Sequence, residues 1–140
     1  MKKQLKESVY KAGKSLWGMF PIILGTILLV SLISTLVPQS FYTKIFTENY
    51  FLDPFIGSLI GSISAGTPLL SYILGGELLN KGISLLAVTA FLVAWVTVGI
   101  VQLPAEIMIL GKKFAVFRNL SAFILSMIVA IITILIFNLI

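Results

Sequence analysis

The sequence predicts an all-α polytopic membrane fold: three full transmembrane helices plus one Gly/Pro-broken helix pair, in a single domain over residues 1–140. Three observations carry this. The 140 residues are 59% hydrophobic and only 11% charged, whereas a soluble domain is about half apolar and a quarter charged. The mean hydropathy is +1.11. Apolar runs at 17–37, 83–103 and 120–140 would each give about 31 Å of helix, enough for a hydrocarbon core of roughly 30 Å. The stretch 54–76 is equally free of charge, yet it holds five glycines, five Ser or Thr side chains and Pro68.

Residues 1–14 carry Lys2, Lys3, Lys6, Lys11 and Lys14 against Glu7 alone. Leu5, Val9, Ala12 and Leu16 fall at helical spacing, so this basic segment can lie on anionic lipid. A plain cytoplasmic anchor reads equally well. The first span, 17–37, opens with Trp17 and Phe20 at the interface. Pro21 falls in its first turns, where Pro costs least, and Pro38 ends it. Phe41, Tyr42, Phe46, Tyr50 and Phe51, interleaved with polar residues, read as an interfacial aromatic belt.

The segment 54–76 is where the chain departs from ordinary spans. Pro68 disfavours the α region for the residue before it, so a helix should end near Gly66. A second should begin at Pro68, with Thr67 as N-cap. That start would leave the N–H groups of Leu69 and Leu70 without helical partners, at the positive end of a helix dipole. Ser62, Ser64, Gly66, Thr67, Pro68 and Ser71 are therefore the candidate substrate-binding residues. A Pro-kinked helix whose hydroxyls bond back to carbonyls is the plainer alternative. Gly57, Gly61 and Ala65 recur every fourth residue, a ridge that lets another helix approach closely.

After a polar link at 77–82, the span 83–103 is interrupted only by Thr89, Thr97, Gly99 and Gln102. Glu106 follows Pro104. An acidic residue near membrane depth is usually paired or functional, so Lys112 or Lys113 is the expected partner. Glu106 and Gln102 are the candidate coupling residues. The last span is 120–140.

Charge placement bears on topology. Four simple crossings from a cytoplasmic N-terminus would put six basic residues inside and four outside, a poor bias. If 54–76 enters and leaves on one side, the split becomes eight inside against two outside, Lys44 and Lys81. The absence of His and Cys excludes thiol chemistry and the commonest zinc sites. No cofactor, metal or nucleic-acid partner is expected, and no catalytic residue is assigned. Only Glu106 and the hydroxyls could do chemistry, so an enzyme is not expected.

Gly66-Thr67-Pro68, then Gly75-Gly76, Ala90-Phe91-Leu92 and a basic stretch ending Arg118-Asn119, resemble one half of the predicted-permease family of ArsP and YraQ types. Those proteins look like two related halves, so the resemblance implies half of an inverted-repeat transporter in the cytoplasmic membrane. It further implies a dimer, with itself or with a related half-length chain, that moves a small solute, an anion among the candidates. The family's cysteines are absent; Ser62, Ser64 and Thr67 stand in their neighbourhood. A rival reading is a non-transporting accessory or assembly protein that uses the small-residue ridge for packing.

Overall fold

The computed structural model describes residues 2–36, 38–47 and 49–139, and their side chains except at 2–5, 33, 34, 39, 42 and 43. The expected span ends at Val37 and Ile140, and the side chains of Lys2, Lys3, Leu5 and Tyr42, lie outside the described residues. Among the described residues the chain is all-helical: α1 (Lys2–Leu36), α2 (Gln39–Ile45), α3 (Leu52–Ile63), α4 (Pro68–Asn80), α5 (Leu85–Thr97), α6 (Leu103–Leu110) and α7 (Lys112–Phe137). They form two compact units, α1 by itself and α2 to α7 together. Among the described residues two helices are long and apolar enough to cross a membrane, Lys6–Leu32 within α1 and Lys112–Phe137.

The first unit corrects two boundaries. Residues 1–14 and 17–37 are not separate elements, because α1 runs unbroken for 35 residues, about 52 Å. Its Lys, Ala and Leu are good helix formers, so the helix propagates back through the basic stretch. Pro21 consequently lies inside the helix, not in its first turns. Glu7 pairs with Lys11 at 2.9 Å one turn away, and the Trp17 and Phe20 rings stack at 6.0 Å.

In the second unit α5 is central. Its sequence, LLAVTAFLVAWVT, is apolar on every face, which is how a helix buried on all sides reads. Leu86, Ala87, Val88, Ala90, Phe91 and Ala94 are buried. Ser84 caps the helix, its Oγ accepting the Ala87 N–H at 3.3 Å. α3 lies parallel to α5, with Gly57 against the Ala87 carbonyl and Gly61 against Phe91 and Ala94. α4 returns antiparallel on another side, placing Gly75 on Val88 and Leu92. α7 covers the third side, where Ala130 joins Leu86 and Ala90 in one apolar cluster. The ridge expected to meet a partner helix is thus partly spent inside the chain. Gly57 and Gly61 are buried by α5, while Ala65 lies beyond the end of α3 and is exposed.

Three other expectations are revised. The stretch 83–103 is not one clean span: α5 stops at Thr97, residues 98–102 are non-helical, and α6 starts at Leu103. α5 alone has 13 residues, about 20 Å, too short to cross. The 77–82 link is mostly helix, since α4 continues to Asn80. The last helix begins at Lys112, not 120, and so contains the basic stretch. Gly111, at φ 87°, lets α6 pass directly into α7, a left-handed conformation that glycine adopts without penalty.

Candidate functional site

The two interruptions of the helical ladder lie together. The first, residues 64–67, is the tip of the α3–α4 hairpin, and the second, 98–102, joins α5 to α6. The Ile100 N–H donates to the Ser62 carbonyl and the Trp95 indole N–H to the Gly66 carbonyl, each at 3.4 Å. Around these contacts is a cavity of about 100 Å³ whose lining includes Ser64, Ala65 and Gly66 of the first break, Gly99 and Gln102 of the second, and Trp95 and Arg118.

Sequence and local structure explain both breaks. Thr67 is extended, at φ −74° and ψ 152°, as the following Pro requires. Val98 is likewise extended, ahead of Gly99 and of Pro104 in the first turn of α6. The first break comes earlier than expected, since α3 ends at Ile63 and not near Gly66.

A polar cluster backs the second break. Glu106 Oε1 meets Arg118 Nη2 at 2.8 Å, and Glu106 Oε2 accepts from Asn119 Nδ2 at 2.8 Å. Asn119 Oδ1 accepts the Gly99 N–H at 2.9 Å, and Nδ2 also reaches the Ala115 carbonyl at 3.0 Å. These partners fix the amide's orientation, because only the oxygen can accept from Gly99 and only the nitrogen can donate to the carboxylate. Arg118 Nη2 also lies 3.4 Å from the Thr97 carbonyl, while its Nε is buried with no partner among the described residues. The partner of Glu106 is therefore Arg118, not Lys112 or Lys113. The long α7 carries Arg118 past its first turn, level with α6.

Of the expected contact residues, Ser64 and Gly66 line the cavity together with Gln102. Ser62, Thr67, Pro68 and Ser71 do not. Ser62 and Ser71 are buried, and their hydroxyls donate to the Leu59 and Pro68 carbonyls at 2.8 and 2.7 Å. Ser64 likewise donates to the Ile60 carbonyl at 2.7 Å. Thr67 occupies the N-cap position, but its side chain makes no capping bond. The N–H groups of Leu70 and Ser71 bond instead to its carbonyl, at 3.0 and 3.4 Å, so Leu70 is not left free as expected.

Sequence reasoning named Arg118-Asn119 only for the family resemblance, gave neither a place in the site, and missed the second break. A signal for the break was present: Gly99, Gln102 and Pro104 repeat the Gly/Pro punctuation of 66–68. Asn119 offered none. The chain matches no family model, and no curated protein or solved structure is significantly similar to it.

Proposed function

We propose that the chain is a half-size membrane permease that moves a small polar solute by alternating access and works as a dimer. The observation that carries this reading is the meeting of two chain breaks around one cavity. Non-helical backbone at membrane depth is tolerated where protein buries it or it lines an aqueous cavity, and discontinuous helices build the binding sites of many transporters. α7 serves as a ruler. Asn119, bonded to the second break, lies seven residues beyond Lys112, about 10 Å along the helix. Asn119 adjoins the apolar run 120–140, so the second break, and the first beside it, lie at the inner edge of the apolar layer.

On this reading α1, α7 and the interrupted α5–α6 pair are three crossings. α5 and α6 have 13 and 8 residues, together about 31 Å of helix. α3 and α4 form a re-entrant hairpin from the outer face, and the N-terminus is cytoplasmic. This arrangement keeps eight basic residues inside against two outside, as the positive-inside rule favours. The solute offers an acceptor oxygen to Arg118, and Glu106 releases the guanidinium as the solute arrives. A cavity of about 100 Å³ suits a small solute. One such unit does not enclose a pathway, hence the dimer, with a second copy or a related half-length chain.

One observation favours the rival accessory reading: the hydroxyls of Ser62, Ser64 and Ser71 all bond to carbonyls of their own helices. Accessibility decides between the two. The chain has no cysteine, so Ala65→Cys and Gln102→Cys can be made singly and probed in membrane vesicles with an impermeant thiol reagent. The permease reading expects both to react from the cytoplasmic face. Failure of both from either face, while Lys112→Cys reacts, would mean a dry break and an accessory protein. Mass measurement in lipid discs should find two or more copies.

A further inference from the structure

At the opposite end of α3 and α5 from the facing breaks lies a larger cavity, of about 470 Å³. At its wall is Asp53, only 1% exposed. Its Oδ1 accepts the Thr47 N–H at 3.0 Å and its Oδ2 the Ser84 hydroxyl at 3.0 Å. Both donors are neutral. Neither described ion pair, Lys11–Glu7 or Arg118–Glu106, involves this carboxylate. An ionised carboxylate out of water is costly unless a positive charge or a full set of donors compensates it. A carboxylate has about four lone-pair sites, and two are used here.

The rest of the wall says what kind of charge fits. Leu85 and Phe137 are apolar, Tyr50 adds a second aromatic ring, and Asn138 an amide. A space of this size, mostly apolar, with one acidic group, suits a cation that carries hydrocarbon. Aromatic faces attract such cations. A bare divalent ion is a poor fit, because calcium takes six to eight oxygen ligands. No group of three metal-ligating side chains exists among the described residues.

We infer that this cavity is a binding site for a small organic ammonium ion, with Asp53 as its counter-ion. The inference does not rest on transport, because the site is separate from the chain breaks. The probe is benzyltrimethylammonium, with its uncharged carbon isostere neopentylbenzene as the control, measured by equilibrium dialysis against the full chain in detergent. Saturable binding of the ammonium alone is expected. Leu85→Trp fills the cavity from its exposed rim, and should weaken binding roughly tenfold or more, at least 1.4 kcal/mol. Asp53→Asn should do the same where circular dichroism shows it folded. Absence of saturable binding to the unmodified chain would overturn the inference. So would equal binding of the neutral isostere, or unchanged binding in Leu85→Trp.

Discussion

Asn119 accepts the backbone N–H of Gly99 at 2.9 Å, so a side chain on α7 supplies the partner that the interrupted α5 no longer provides. The same amide donates to Glu106, making it the joint between the break and the ion pair. Asn119→Leu keeps the volume but leaves an N–H and a carboxylate oxygen unpaired. Leaving such groups unsatisfied costs about 1–3 kcal/mol. Thermal unfolding in detergent should show that loss, and Asn119→Ser should recover part of it.

The glycines of α3 and α4 should separate cleanly by substitution. A Cβ on Gly57 would strike the Ala87 carbonyl, and one on Gly61 the Phe91 carbonyl. Backbone cannot move aside as a flexible side chain can, and overpacking typically costs about 1–3 kcal/mol. A Cβ on Gly76 meets nothing within 4 Å. Gly76→Ala should therefore be neutral or stabilising by up to about 1 kcal/mol, through helix propensity alone. Gly57→Ala and Gly61→Ala should each lower the melting temperature. A loss of oligomer mass without a loss of stability would contradict this internal role.

The Glu106–Arg118 pair makes a double-mutant cycle informative. Arg118→Met strips the cation from a carboxylate whose side chain is only 14% exposed, while Asn119 still holds one oxygen. Because the Arg118 side chain is 40% exposed, solvent screens the pair and the loss should stay near 1 kcal/mol. Glu106→Gln in the same background should restore most of it. Additive losses in the double variant would mean that the two residues act independently.

Topology has its own test. Gln39→Cys and Lys81→Cys should label from the outer face and Lys112→Cys from the inner. Labelling of Lys81→Cys from the inner face alone would replace the hairpin with a plain crossing.

Local chemistry was legible in the sequence where it acts on the adjacent residue. Pro68 forces Thr67 out of the helical region whatever surrounds it, so the first break could be read directly. The close approach at Gly57 and Gly61 was legible too, but its partner was not. Spacing shows that a helix packs there without saying which one, and α5 is thirty residues further on, Gly57 meeting Ala87. The second break was hidden by uniformly apolar neighbours, among which Gly99 passes for a packing residue. The partner of Glu106 was misread because nearness in sequence favoured Lys112, whereas the start of α7 decides which base arrives beside α6. Asn119 and the buried Asp53 depend wholly on tertiary placement.

The parallel seating of α3 on α5 also sets an order of events during synthesis. The hairpin leaves the ribosome before the helix against which its glycines close. The glycines of α3 have no close partner until Ala87 and Phe91 are in place, and Gly75 of α4 waits likewise for Val88 and Leu92. On the permease reading the apolar hairpin must therefore be held, by the lipid interface or by the insertion machinery, until α5 arrives to receive it. Slowing translation after the hairpin has emerged and before α5 has should prolong that wait and expose the hairpin to protease, a vulnerability invisible in the finished protein.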